Sequence, residues 1–215
     1  NGLDDLAGIG TERADLVVEG QIAVDTPLEQ TRQLVPHALV PALGELPGVA
    51  AVTGRIEGTA VLLDSQLRPV VPLGLTEQPL GANWPTASTL NPYRISGGHG
   101  PRTPDQVVVD RGTVRRSGLS IGDRVIVSTK SSPRSFQLVG TFTLGDRELP
   151  KGTSLVLFQD ATARELFDRA SDDNSIAIRL RSPDQRDEVE SAIRQLLPLQ
   201  VDVVDGGTYE RHRAT

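Results

Sequence analysis

The hydrophobic pattern of this chain switches between period two and period 3.6, and the switches fall at matching places near its two ends. Residues 14–24, ADLVVEGQIAV, are rich in β-branched residues and predict a strand. The next stretch, 28–46, carries Leu28, Val35, Leu39, Ala42 and Leu46 at helical spacing. Pro36 and Pro41 interrupt it, because each lacks an N–H and clashes with the carbonyl four residues back. A helix kinked or restarted near Pro36 is expected. Pro47-Gly48 stops it, and residues 49–64, VAAVTGRIEGTAVLLD, predict one or two further strands. Upstream, Leu3, Leu6 and Ile9 among polar residues predict a short helix within 1–13.

The same order returns later. SIAIRLR, 175–181, alternates as a strand. Ser182, with Pro183 at the first helical position and Gln185 at the third, forms a capping-box pattern. Val189, Ala192, Ile193 and Leu196 make one apolar stripe, Leu197-Pro198 ends the helix, and LQVDVVDGG, 199–207, predicts a strand. LPGVAAVTG (46–54) thus stands opposite LPLQVDVVDG (197–206). Two readings are open: a degenerate repeat of two β-α-β units, or chance likeness between two common patterns. The shared order favours the repeat. A β-α-β crossover joins parallel strands with right-handed geometry. Two of them predict a four-stranded sheet with both helices on one face.

Between these halves the grammar differs. Residues 72–104 are rich in Pro and Gly without clear periodicity and predict a long structured loop. DQVVVD, 105–110, predicts a strand, and Asp110 can cap a short helix over 111–117 that Gly118 ends in the left-handed conformation. DRVIVST (123–129) and SFQLVGTFTL (135–144) flank KSSPR as a hairpin. TSLVLF, 153–158, predicts another strand, followed by a helix capped by Asp160 and carrying Ala163, Leu166, Phe167 and Ala170. The expected class is α+β, with a β-rich block inserted between two β-α-β halves.

Composition narrows the function. The 215 residues suffice for one large domain or two small ones. No stretch approaches the roughly 18 apolar residues of a membrane span, and no signal peptide is visible. The absence of Cys excludes disulfides, cysteine zinc sites and thiol catalysis. The absence of Met suggests a piece of a longer or processed chain. A net charge of −6 argues against a nucleic-acid partner, which needs a basic face. Only Lys130 and Lys151 among the 22 basic residues are lysine, a bias expected of a high-GC bacterial genome. With aromatics at 3%, the core must be built from Val, Leu, Ile and Ala.

Few residues offer chemistry. Gly118-Leu119-Ser120-Ile121-Gly122 matches the G-x-S-x-G of a hydrolase nucleophile elbow. That elbow needs strand, turn and then helix. Here the predicted helix precedes Ser120 and the strand follows, and the only later histidine is His212. The context favours a helix cap at Gly118 and a turn at Gly122-Asp123. GGHG, 97–100, lacks the third glycine and the following helix of a phosphate loop. His99 has no second ligand near it in sequence, and a zinc site needs three or four. His37 sits in a helical segment and reads as a surface or packing residue. SDDNS, 171–175, lacks calcium-loop spacing and reads as a solvated turn, and Arg115 and Arg116 read as water-facing. Trp84 shares the long loop with Tyr93 and Arg94, residue types enriched in binding hot spots. The competing reading is that Trp84 pins the loop onto the β-rich block. No acid–base or nucleophile–base pair stands out, so the residues alone imply a soluble α+β module that is not an enzyme.

The stretch 97–144 resembles the MacB-like periplasmic core domain. The matching residues are Val107 to Asp110, Gly118, Leu119, Gly122, Asp123, Val125, Val127, Val139 and Gly140. ADLVVEG (14–20) and LPGVAAVTG (46–54) resemble the family's opening strand and its helix-Pro-Gly-strand. Gln106, where Glu is frequent, and the Pro-containing helix depart from the pattern. The resemblance implies the extracytoplasmic loop between the first two membrane helices of an FtsX/MacB-type ABC transporter permease. It implies a porter-like, ferredoxin-like subdomain from 14–56 and 174–207, an inserted β-rich subdomain from 57–173, and stalks at 1–13 and 208–215 leading to membrane helices. It implies a cytoplasmic ATPase partner that holds the ATP, a permease dimer, and transmission of ATP-driven movement to a substrate or partner protein outside. No catalytic, metal or cofactor residue carries over. Gly118, Gly122 and Asp123 are expected to define a turn. The inserted block and loop 76–104, with Trp84, Tyr93 and Arg94, are expected to contact the outer partner. A secreted hydrolase using Ser120 and a free-standing ligand-binding or sensor domain are the alternatives.

Overall fold

A computed structural model describes residues 13–26, 29–64, 66–70, 78–130, 132–150 and 152–213. The helix expected within 1–13 lies outside the described residues. In chain order the structure begins with β1 (Leu16–Gly20), β2 (Ile22–Thr26), β3 (Glu29–Arg32), β4 (Val35–Pro36), α1 (Leu39–Gly44) and β5 (Val49–Arg55). Next come β6 (Glu57–Thr59), β7 (Val61–Leu63), β8 (Gln78–Asn83), a 3-10 turn (Ser88–Leu90) and β9 (Tyr93–Gly98). They are followed by β10 (Gln106–Asp110), α2 (Arg111–Ser117), β11 (Arg124–Ser128), β12 (Arg134–Leu144), β13 (Thr153–Phe158) and α3 (Asp160–Leu166). The chain ends with β14 (Asp172–Asp173), β15 (Ser175–Leu180), a 3-10 turn (Pro183–Gln185), α4 (Arg186–Leu196), β16 (Val201–Asp205) and α5 (Gly206–Arg213).

Two compact units emerge, each with its own core. One, the platform, takes residues 13–55, Pro85–Asn91 and the chain from Ala170 onward. Its sheet has the order β16-β1-β15-β5, every neighbouring pair antiparallel. It follows that β1 runs parallel to β5 with β15 between them, and β15 runs parallel to β16 with β1 between them. The two β-α-β units interleave, and together they make the expected four-stranded sheet. Leu16, Val18, Ile176, Ile178, Leu180, Val201 and Val203 form one face of the sheet, and Leu43 of α1 with Val189 and Ile193 of α4 pack onto it. Each such side chain, fully buried, stabilises by about 1.5–3 kcal/mol. Gly48 lets the chain turn into β5 at a φ of 86°, where a Cβ would stand 2.6 Å from Val189.

The other unit, Ile56–Trp84 with Pro92–Arg169, holds a sheet of order β6-β8-β13-β10-β12-β11-β7. The two edges, β6 and β7, are successive stretches of one segment bent at Ala60, so the sheet curls round on itself into a barrel-like unit, the barrel unit. Its interior collects Val107, Val109, Val125, Val127, Phe136, Leu138, Val156 and Phe158, with Ala163 and Leu166 of α3. The long β12 serves two partners along one edge: Arg134–Gln137 pair with β11, and Gly140–Leu144 with β9.

Several local expectations hold and several change. Asp110 caps α2 by accepting the Thr113 N–H at 2.8 Å, and Gly118 closes it at φ 70°. The helix expected over 28–46 is confined to Leu39–Gly44. Glu29–Arg32 instead pair with β2, and Val35–Pro36 pair with β14, because Pro36 withholds a helix donor while Thr31 and Val35 suit extended backbone; Pro41 sits in the first turn of α1, where its N–H would have no partner. Leu28 lies outside the described residues. The strand expected over 14–24 breaks at Gln21, where β2 leaves the sheet. Residues 49–64 give three strands rather than one or two. Within the supposed loop 72–104, Gln78–Asn83 and Tyr93–Gly98 are strands; β13 and β12 provide the partners that local sequence could not reveal. Asp160 begins α3 instead of capping it, its carboxylate accepting from Asn83 Nδ2 at 2.7 Å and Arg164 Nε at 2.9 Å. Ser182 caps the 3-10 turn through Asp184 N–H, and Leu196 of the expected stripe is exposed. The last strand stops at Asp205, and Gly206-Gly207 open α5.

Candidate functional site

The Ser120 turn is built from its own backbone. Gly122, at φ 105°, adopts a conformation that a side chain would resist. Ser120 N–H donates to Asp123 Oδ2 at 2.8 Å, and Asp123 N–H returns a bond to Ser120 O at 3.1 Å. The chain then enters β11. Strand follows turn, so Ser120 does not stand where an elbow would present a nucleophile to a helix N-terminus. Gly140, a residue of the family-like motif, has its own reason. A Cβ there would stand 2.5 Å from His99 O, just beyond the end of β9, which pairs with Gly140 through Gly98.

Trp84 and Tyr93 meet on the barrel unit, and Arg94 follows Tyr93 on β9, on the opposite face of the strand. The Trp84 and Tyr93 rings lie 6.1 Å apart, and Tyr93 meets Phe142 edge-on at 5.1 Å. Tyr93 is buried, Trp84 half-buried with its indole against Gly100, and Arg94 exposed and paired with Asp146. Trp84 N–H donates to Phe158 O at 2.7 Å, which holds the chain at the end of β8. The backbone bond holds this segment in place, and the half-buried indole remains partly open to solvent.

His37 and His99 each have a partner within hydrogen-bond distance. His99 Nδ1 lies 2.8 Å from Gly100 O. His37 Nδ1 lies 2.8 Å from Asp173 Oδ2, a fully buried carboxylate seated where Gly54 has no side chain. Among the described residues no group of three or more His, Asp or Glu side chains is placed to hold a metal ion.

The platform carries a polar layer that pattern reading missed. On the sheet face opposite α1 and α4, register aligns Asp202, Glu19, Ser175 and Arg55 in one row across all four strands. Glu19, Ser175 and Arg55 are buried, and Arg32 Nη1 lies 3.1 Å from Glu19 Oε1. Tyr209 of α5, fully buried, donates its hydroxyl to Ser175 Oγ at 3.3 Å. A polar row inside a strand of alternating pattern looks solvent-facing, and only the covering helix reveals otherwise.

The start of β1 and the end of β16 meet at one end of this sheet. Asp15 N–H donates to Ile178 O at 2.9 Å, and Gly206 N–H donates to Asp15 O at 3.1 Å. Arg186 Nη1 reaches Asp15 O at 3.1 Å and Asp205 Oδ2 at 2.6 Å. Asp15 Oδ2 accepts Leu180 N–H at 2.8 Å and lies 3.5 Å from Arg179 Nε. None of these residues carries a motif, and their separation in sequence hides them. A cavity of about 350 Å³ opens beside Arg13, Thr89 and Arg179 at the same end.

The family described as MacB-like periplasmic core domain matches residues 6–196. A 65-residue stretch is 35% identical to an uncharacterized ABC transporter permease protein of Mycobacterium tuberculosis; it covers 30% of this chain and 8% of that protein. The chain thus spans a small part of that relative's length. Among solved structures, the extracellular domain of the noncanonic ABC-type transporter YknZ from Gram-positive bacteria superposes with a TM-score of 0.63 at 10% identity. That match covers 88% of this chain and 99% of the other. The periplasmic region of MacB from Actinobacillus actinomycetemcomitans gives 0.63 at 14% identity, covering 98% and 96%. At these identities the two structures speak for the fold. Among the described residues no helix is long and apolar enough to cross a membrane.

Proposed function

The chain belongs to the MacB-like periplasmic core domain family, and from that premise we propose that it passes ATP-driven movement of an ABC transporter permease to a substrate or partner protein outside the membrane. The hydrolysis itself belongs to a cytoplasmic ATPase subunit, coupled through membrane helices that flank this domain, in a permease dimer. The observation that carries the reading is the pairing of β1 with β16. Segments that enter and leave the platform meet at one end of a single sheet, whose strands continue into a second unit through the run β5-β6-β7. A pull on either flanking segment is delivered to a stiff hydrogen-bonded ladder and not to a loop.

Contact with the outer partner is assigned to the barrel unit around Trp84 and Arg94, with Tyr93 supporting the indole from beneath. The exposed Arg94–Asp146 pair and the indole edge are the kind of surface at which aromatic and Arg anchors concentrate binding energy.

The test uses the full-length permease with its ATPase in lipid nanodiscs. This chain has no cysteine of its own, so only cysteines elsewhere in the permease and ATPase need replacing before labelling. Spin labels at Ser120→Cys and Leu199→Cys, both exposed positions, report the separation of the two units. Addition of ATP is expected to shift the distance distribution. A distribution identical with and without ATP, in a preparation that hydrolyses it, overturns the proposal.

A further inference from the structure

Asp15 and Asp205 lie 190 positions apart in the chain, yet one guanidinium holds both. Arg186, at the first turn of α4, places Nη1 between the Asp15 carbonyl and the Asp205 carboxylate. Asp205 uses its other oxygen to accept the Thr208 N–H at 3.2 Å, capping α5. Gly206 N–H donates to the same Asp15 carbonyl, and glycine is required at that position. A Cβ there would stand 2.2 Å from Ala14 O, closer than any side chain tolerates. Arg179 Nη1 donates to Arg13 O at 3.0 Å, securing the chain just before β1. Beyond the junction, Tyr209 seats α5 on the polar row through Ser175.

These contacts join the segment before β1, the first turn of α4, the end of β16 and the start of α5 within one small volume. We infer that Arg186, with Asp15, Asp205 and Gly206, is a clasp that makes the segments entering and leaving the platform move as one body, so that force from either reaches the sheet undivided. This inference rests on the mechanical reading above and names the residues through which that reading works. The physical ground is twofold. A charge-assisted hydrogen bond from Arg to a carboxylate is roughly twice as strong as a neutral one. The face beneath α5 carries buried charged and hydroxyl groups, so α5 is held there by directional bonds rather than by apolar burial alone. Without Arg186 the β1–β16 ladder and the Gly206–Asp15 bond remain, but the junction loses its charged tie between Asp15, Asp205 and the first turn of α4, and α5 keeps Tyr209 as its one deep anchor.

Arg186 is a positioning residue, so its test pairs a static readout with a functional one. Full-length permease and its ATPase in nanodiscs are compared as wild type, Arg186→Ala, and the charge-exchanged pair Arg186→Asp with Asp205→Arg. Hydrogen exchange is followed over residues 204–209 and over the hairpin 22–32, with and without ATP. Arg186→Ala is expected to lose protection at 204–209 while 175–180 stay protected. It is also expected to lose the ATP-dependent change that the mechanical reading expects of wild type at 22–32, and the exchanged pair is expected to recover both in part. Should Arg186→Ala misfold, Arg186→Gln, which is polar but uncharged and two bonds too short to reach both partners, is read in its place. Wild-type protection at 204–209 in Arg186→Ala (or in Arg186→Gln where it is read instead), or a wild-type ATP response at 22–32 in that variant, overturns the clasp alone. A wild type that shows no ATP response anywhere in the domain overturns the mechanical reading, and the clasp's role with it.

Discussion

Asp110 shows how one side chain can tie three elements together. Its Oδ1 caps α2 through Thr113 N–H, and its Oδ2 accepts the Leu155 N–H of β13 at 3.0 Å, while its own backbone ends β10. Burial raises its carboxyl above the usual range, against the backbone bonds from Leu155 and Thr113 that favour the ionised form. The sign follows from proton counting. The folded state holds this proton to higher pH than the unfolded chain does. The stability Asp110 contributes is therefore full below the ordinary aspartate value of 3.8 and falls as pH rises through the raised folded value. Urea unfolding at stepped pH is expected to show wild type losing stability relative to Asp110→Asn across that interval. A difference independent of pH would refute it. Asp110→Ala, which leaves two backbone donors without an acceptor, is expected to cost about 2–4 kcal/mol at low pH. Glu148 has the opposite sign. Hydrogen bonds from Arg115 and then Arg111 hold its carboxyl below the usual range, so its contribution is present above 4.5 and lost as pH falls through the folded value.

Among the elements, the 3-10 turn Ser88–Leu90 has an effect out of proportion to its length. The chain leaves the barrel unit after Trp84, contributes Pro85–Asn91 to the platform, and returns at Pro92. In the platform this turn packs against β15 and β5, and Leu90 is buried. Leu90→Ala is expected to destabilise by about 2–4 kcal/mol, the cost of a buried leucine and the cavity it leaves. Chemical denaturation followed by exchange at 49–55 and 175–180 checks it, and a change under about 0.5 kcal/mol would show the turn to be a passive linker. Gly54→Ala tests another close approach. The added Cβ would stand 2.5 Å from the Asp173 carboxylate, which cannot move without giving up His37. A loss of about 1–3 kcal/mol is expected in the same assay.

At the scale of the whole molecule, the proposal divides the labour. The platform receives movement, and the barrel unit presents a surface. Trp84→Ala with Arg94→Ala is expected to weaken capture of the outer partner at least about tenfold, since two anchors of this type are involved. The domain should stay folded, because Tyr93 and Phe142 keep their edge-on contact. Titration of the partner against the full-length permease measures it, and unchanged affinity would move the contact surface elsewhere. Substitution at the Arg186 clasp should leave that affinity intact while abolishing the response to ATP. The two sets of variants thus separate presentation from transmission.

Much of this architecture was written locally. The cap at Asp110, the left-handed stop at Gly118, the turn at Gly122-Asp123 and both β-α-β patterns depend on hydrogen bonds and periodicities within a few residues. A reading of neighbours can find such features. The interleaved order β16-β1-β15-β5, the strands within the Pro- and Gly-rich stretch, the closure of the second sheet at Ala60 and the clasp at Arg186 were decided only in three dimensions. Their partners lie tens to almost two hundred positions away. The bond from Arg186 to Asp15 spans 171 residues, and no local pattern encodes which distant carbonyl a guanidinium will meet.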